Sequence, residues 1–397
     1  MPISSFRIVA SSVAAIALTF AAASVAAEPF IPKSDQDILD RAPTRLGASA
    51  AREARNAQAV LKANPRNLDL ALRIAQLHIR RARTESDPRH LGQAEAALAP
   101  WWNLQNPPVP VLVLRATIRQ SLHDFAHARA DLEQVVARDA NNAQAWLTLA
   151  TVQHVTGDYT NARASCAQLR GRATVPVRAA CVAAIDGTEG KAQQGFNALK
   201  KAIHDSRGLS REMRAWILTL QAELAERASQ PKTAERLYRQ ALALDRRDTY
   251  ATAAYADLLL DQRRPREVLK LIPADAGTDV LMLRRVLAAH TVNAKEAARD
   301  ADALAARYAA ARARGDRVHL REEARFLLHV RGDPDAALAL ATENWRTQKE
   351  PADVRILLES ANAVGARAGA DEALAWLERT RLEGRMIARL ADEARRL

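Results

Sequence analysis

The sequence predicts an all-α fold, a solenoid of antiparallel helix pairs stacked one on the next. Three observations carry that expectation. First, Val111–Leu169 repeats itself with a period of 34. Leu112 aligns with Trp146, Ala116 with Ala150 and Thr117 with Thr151. Asp124-Phe125 then aligns with Asp158-Tyr159, and Ala128-Arg129-Ala130 with Ala162-Arg163-Ala164. A fixed period of this size marks one supersecondary unit stacked on copies of itself. Second, 48% of the 397 residues are apolar but only 4% aromatic, and Ala and Leu dominate, which suits close-packed helices better than sheets. Third, Gly, Pro and Asp recur as breakers between the helical stretches.

Taken in order, Arg7 is the only charge before Glu28, Ile8–Ala27 carries none, and Ser24-Val25-Ala26-Ala27 offers small residues for cleavage after Ala27. Residues 1–27 therefore read as a signal peptide, and the mature chain is expected to be periplasmic or secreted. Retained, the same stretch would just span a bilayer; no later segment is apolar enough to do so. Residues 28–50 hold Pro29, Pro32 and Pro43 and read as a linker with a short helix at Gln36–Arg41. Residues 51–385 read as the repeat array. It opens with helix Ala51–Ala63, stopped by Asn64-Pro65, and with a unit at Leu68–Trp102, whose Trp101-Trp102 is expected to plug the gap between pairs.

Past the opening repeats, Thr160–Leu169 and Val177–Ile185 are followed by a turn at Asp186-Gly187 and helix Lys191–Ala202. Further pairs are Ala215–Arg227 with Lys232–Leu244, and Tyr250–Leu260 with Glu267–Ile272. Val280–Arg284 echoes Val111–Arg115 and starts another unit, completed by Lys295–Ala311. Val318–Val330 with Asp335–Arg346 and Ala352–Val364 with Asp371–Leu382 finish the array. Gly384 is placed to end the last helix, and residues 386–397 read as an amphipathic cap, which a bare array end needs. Gly157, Gly187 and Gly332 are expected to take the left-handed conformation that ends a helix. His123-Asp124 and Gln230-Pro231 are the expected breakers where Gly is missing.

Cys166 and Cys181 are the only cysteines. They lie on helices flanking a short connection, at similar distances from its midpoint, and in an oxidising compartment they are placed to pair. Unpaired, they would serve as small buried hydrophobes. The formal charge is +12, dispersed without a run of five or six like charges. It suits either a solvated surface or attraction to anionic polymers and lipid headgroups; export argues against nucleic acid. His123 and His127 have metal-ligand spacing and His154 could approach them, but a turn is expected between the first two. No zinc-protease, nucleophile-elbow, phosphate-loop or dinucleotide motif occurs, and the array leaves no room for a catalytic domain. No enzyme activity and no cofactor are expected.

The period and the placement of large, small and aromatic residues resemble the tetratricopeptide repeat. The resemblance covers about 330 residues and departs from the pattern at Arg115, where an apolar residue is usual. It implies a right-handed superhelical solenoid of about eight or nine pairs, whose first helices line a concave groove for a protein or peptide. By register the groove candidates are Val113, Thr117, Gln120, Leu147, Thr151, His154, Trp216, Tyr250, Ala253 and Asp257. Two other readings are an envelope-associated binder of anionic polymer or lipid and a histidine-based metal-handling protein.

Overall fold

The computed structural model describes residues 48–85, 87–204 and 209–397. The expected signal peptide with its cleavage after Ala27, nearly all of the expected linker and the helix Gln36–Arg41 lie outside the described residues. From Glu53 onward the chain forms one compact unit. Every regular element among the described residues is helical.

Helix α1 (Ala48–Ala63) leads into α2 (Leu68–Glu85) and α3 (Arg89–Ala97), followed by the one-turn α4 (Ala99–Trp102). The pairs that succeed them are α5 (Val109–Ser121) with α6 (Phe125–Arg138), α7 (Ala143–Val155) with α8 (Tyr159–Ala167), and α9 (Val175–Thr188) with α10 (Ala192–His204). Then come α11 (Arg211–Arg227) with α12 (Pro231–Leu244), α13 (Thr249–Asp261) with α14 (Pro265–Leu271), and α15 (Asp279–Thr291) with α16 (Ala297–Ala313). The last are α17 (Leu320–Phe326, extended by a π-helical turn at Leu327–Arg331) with α18 (Pro334–Thr347), and α19 (Pro351–Val364) with α20 (Arg367–Thr380). Counting α2 with α3, nine tetratricopeptide-like pairs are described, and α21 (Arg385–Arg395) packs back on α19.

The core follows the array as seven apolar clusters rather than one centre, as expected when each unit packs chiefly on its neighbours. Ala116, Ala128, Ala150 and Ala162 are all buried and let the helix axes approach. Trp101 and Trp102 are half-buried against the first cluster, and the Arg119 guanidinium lies 5.5 Å from the Trp102 ring. Cys166 and Cys181 form a disulfide between α8 and α9, with a Cα–Cα distance of 5.7 Å.

One device ends the first helix of a pair eight times. His123, Gly157, Gly190, Ser229, Arg263, Asn293, Gly332 and Gly365 all have positive φ. In seven cases the next residue's N–H bonds the carbonyl five residues back, from Asp124 to Arg119 through Ala366 to Ala361. In the eighth, Asp333 reaches six back to Leu327, because the π turn adds a residue. This is the Schellman closure of orphan carbonyls. Three expectations are corrected. Gly187 does not cap: it lies inside α9, and Gly190 turns the chain instead. A Cβ on Gly187 would stand 2.7 Å from Leu224 Cδ2 and 2.6 Å from Arg227 Nη1, so glycine serves close packing there. Gly384 does not end α20, which stops at Thr380 with Arg381 left-handed. Asp371 is not the start of α20 either, since Gly369 is helical and seats against Leu338.

The register of Arg115 is a fourth correction. Buried Arg115 bonds Asp131 on its partner helix at 2.7 and 2.9 Å and the carbonyls of Trp102 and Leu104 behind it. Its counterpart is Arg285, not Arg284, because Arg115 and Arg285 each stand eight residues before the left-handed turn residue (His123 and Asn293). Arg285 likewise binds preceding-unit carbonyls, Leu269 and Ile272, and faces Asp300 on its partner helix at 3.9 Å.

Candidate functional site: the first-helix face

Counting back from the left-handed residue places the first-helix side chains in rows. Thr117, Thr151, Glu223, Asp257 and Glu359 each stand six residues before it. Along that row the chemistry changes from hydroxyl to carboxylate. The Thr117 and Thr151 hydroxyls donate to the carbonyls of Val113 and Leu147 one turn back, at 2.8 and 3.0 Å. Trp216 and Tyr250 share another row, thirteen residues before the turn, and are 39% and 64% exposed.

The remaining candidates divide. Val113 and Leu147 are half-buried, packed against the clusters of α5–α8 and of the disulfide. Gln120 is half-buried. His154 bonds the Thr188 hydroxyl at 2.9 Å and tilts over Tyr159; burial depresses its pKa to about 4. Ala253, in the row of Val113 and Leu147, is 6% exposed, so it belongs to the packing and not to the groove surface. Asp257 accepts from Arg284 at 2.8 Å and from Arg325 at 2.6 Å. Burial alone would raise its pKa, but the two guanidinium groups hold it well below the usual carboxylate range.

Arg325 belongs to α17, four helices further on. The late pairs reach the early ones at several points that no repeat register foretells. Arg355 of α19 forms a bidentate pair with Asp261 at 2.7 and 2.8 Å. In the link between α18 and α19, the Gln348 amide donates to His123 Nδ1 at 3.0 Å, and the Lys349 N–H donates to the Val155 carbonyl at 2.7 Å. Tyr159 donates to the Lys349 carbonyl at 3.3 Å and accepts from Trp376 Nε1 at 3.0 Å. Glu383, beyond α20, accepts from the Ala192 N–H at 2.8 Å. Helices α17 and α19 thus each set an arginine against a carboxylate of α13. Burial pushes His123 down to about 4, aided by Arg321, which keeps the ring neutral and able to accept from Gln348.

The His123–His127 pairing does not form. His123 is in the turn, while His127 sits on α6 and bonds Asp124 at 2.7 Å. Among the described residues no group of three or more His, Cys, Asp or Glu is arranged to hold a metal ion.

Sequence reasoning overlooked Glu223, although it lies one 34-residue period before Asp257. It accepts from the Tyr250 hydroxyl at 2.5 Å, with Arg227 at 3.7 Å. Arg321, Arg325, Glu350 and Arg355 were also overlooked. Arg321 and Arg355 lie one 34-residue period apart, and Arg321 binds Glu350 and Asp353 at the start of the next pair; the distant partners of Arg325 and Arg355, Asp257 and Asp261, are what no period marks. No helix among the described residues is long and apolar enough to cross a membrane.

No family model and no curated protein matches this sequence. Among solved structures it is similar to the human IFIT1 dimer with m7Gppp-AAAA, at 14% identity and TM-score 0.47, covering 86% of each chain. It is also similar to the Cut9–Hcn1 hetero-tetramer of APC/C, at 11% identity and TM-score 0.37, covering 87% of this chain and 94% of that one. A third is the TPR domain of P58(IPK), at 14% identity and TM-score 0.21, covering 88% and 98%.

Proposed function

We propose that this protein is an exported, non-enzymatic scaffold that holds a segment of a partner protein along its first-helix face. The observation that carries the reading is the exposure of Trp216 and Tyr250 on that face, where most large apolar side chains of the array are packed away. Aromatic side chains give large contact area for little conformational entropy, which is why they anchor interfaces. The wall around them offers hydroxyls and carboxylates for a polar rim. Export rests on the signal-like residues 1–27, and mature protein is expected to begin at Glu28.

Co-purification from the envelope fraction of the native cell, read by mass spectrometry, tests this. A partner enriched by wild type and lost from the Trp216→Ala/Tyr250→Ala variant supports it. Equal recovery by both proteins overturns the assigned face, and N-terminal sequencing that finds an intact Met1 overturns cleavage.

A further inference from the structure

We propose that the groove between the end of α8 and α9, over the Cys166–Cys181 disulfide, is a second docking site, which takes an acidic side chain of a partner protein on Arg170 and Arg178. This goes beyond the scaffold reading above, because neither Trp216 nor Tyr250 belongs to the groove.

Helix α8 stops at Ala167 after nine residues, where α6 and α12 run for fourteen. The chain then turns through residues 168–173, with Gly171 left-handed. Positions of α9 that are covered in other first helices are open here. Val182 stands eight residues before the left-handed Gly190, the position of Arg115, Leu149, Gln221, Tyr255 and Arg285. None of those five is more than 9% exposed, whereas Val182 is 38% exposed. Arg178 stands twelve residues before Gly190, where Val111, Ala145, Ile217 and Ala251 are fully buried; it is only half-buried. The result is a groove of about 440 Å³ lined by Cys166, Ala167, Arg170, Arg178 and Val182. The disulfide ties its two walls together.

Arg178 thus brings a charge into a register of apolar residues, and no acid answers it. Among the described residues neither Arg170 nor Arg178 has an ion-pair partner, and Arg178 Nε is buried without a hydrogen-bond acceptor. Arg172 Nε is buried in the same way, although Arg172 Nη1 donates to the Gln168 carbonyl at 2.7 Å. The surrounding sequence offers no spare acid. Residues 159–204 hold seven Lys and Arg against Asp186 and Glu189, and Arg163 binds both of those acids at 2.8 Å. Elsewhere the array supplies the partner itself: Arg115 has Asp131, Arg321 has Asp353 and Arg355 has Asp261. At Arg178 an acid from another chain would complete the pair. A guanidinium takes a carboxylate on two parallel N–H bonds, and clustered arginines are a recurring means of reading acidic motifs. Val182 and Ala167 offer apolar surface for the stem of that side chain or for its neighbour. A groove of this volume holds a side chain or two rather than a bilayer surface, and a cation entering it would meet two uncompensated guanidinium groups.

The experiment presents a degenerate nonapeptide library to the oxidised full chain and, separately, to its Trp216→Ala/Tyr250→Ala variant, and sequences the bound peptides. The expected result is enrichment of Asp or Glu at one position on both proteins. In fluorescence anisotropy an enriched peptide should bind roughly tenfold more tightly than its counterpart with that acid changed to the amide. Arg178→Met should remove the difference while its melting temperature stays at or above that of wild type, because apolar residues fill this register elsewhere; an arginine kept for the fold would lower it instead. Arg170→Gln, at an exposed position, should weaken the preference with an unchanged melt, so the test does not hang on one variant. Enrichment of neutral or basic peptides, or an acid preference untouched by both arginine variants, overturns the assignment. So does sedimentation with phosphatidylglycerol vesicles that Arg178→Met removes while no acidic peptide is enriched. Acidic peptides captured by wild type but lost from Trp216→Ala/Tyr250→Ala would belong to the first-helix face and also overturn it. Equal partner recovery by wild type and that double variant, which overturns the first-helix face, leaves this groove standing.

Discussion

Apart from Tyr159, the buried polar side chains of α5–α8 find partners close by in sequence, whereas those of α17–α20 also reach across the array. Arg115 meets Asp131 sixteen residues on, and Ser165 meets Gln153 at a separation of twelve. By contrast, Arg325 meets Asp257 over 68 residues, Arg355 meets Asp261 over 94, and Gln348 meets His123 over 225. The early pairs could be assembled from nearest-neighbour contacts alone. The late pairs add contacts between units that are not neighbours, and two of those contacts set arginines against carboxylates of α13. The difference teaches that a repeat array can be locally periodic and still carry a site that its period does not describe.

The largest effect that sharpens this contrast is expected at the local end. Asp131→Ala would leave Arg115, 5% exposed, without its carboxylate. Loss of one member of a buried pair costs about 3–5 kcal/mol, measurable as a fall in unfolding free energy by urea titration. A loss below ~1 kcal/mol would mean that the pair is solvated. Reduction of Cys166–Cys181, which closes a separation of fifteen residues, is expected to cost about 3 kcal/mol in the chain-entropy model. It should do so without freeing the Gln348–Glu350 link, since the bridge ties only α8 to α9. Release of that link on reduction would break the distinction between local and distant contacts.

Glycine replacements separate the two kinds of contact further. Gly365 has positive φ with nothing within 4 Å of an added Cβ, so Gly365→Ala is expected to cost roughly 1–2 kcal/mol from the backbone alone. Gly190 has the same backbone need, and its added Cβ would stand 2.5 Å from the Arg381 carbonyl oxygen. Gly190→Ala should therefore cost more, and equal melting temperatures for the two variants would deny that Arg381 docks there.

Much of the fold was legible because its physics is periodic. The 34-residue match between Ala116 and Ala150, or Asp124 and Asp158, reports the same turn and the same close helix approach made twice. Legibility failed where one residue type serves two purposes. Gly187 looks like a cap but is small for packing against Leu224, while Ser229 and Asn293 take the left-handed turn without being glycine. The off-by-one echo at Arg284 arose because apolar runs fix a helix face less sharply than its end does. Within the site, Trp216 and Tyr250 came from register alone. Arg325 and Arg355 could not be assigned to it because the acids they meet there, Asp257 and Asp261, lie 68 and 94 residues away.

Two smaller effects follow. His123 and His154 both have pKa values near 4 in the fold against about 6.5 unfolded. The native state thus binds fewer protons than the unfolded state between these values, so stability rises with pH through that window and is lost as pH falls toward 4. His123→Gln should reduce the slope of unfolding free energy against pH there by about one proton; an unchanged slope would mean that the ring is not held by Gln348. The smallest effect is expected at Arg355 and Asp261, whose side chains are 23% and 28% exposed. A double-mutant cycle should return about 0.2–1 kcal/mol, falling with added salt.

The most direct test of the distant docking is hydrogen exchange at a single amide. Lys349 lies outside the helices flanking it, and its N–H is bonded to the Val155 carbonyl 194 residues earlier in the chain. Docking of the late pairs on α7 predicts slow exchange there, comparable to amides inside α19. Exchange at the rate of an open loop, with α19 itself protected, would contradict it.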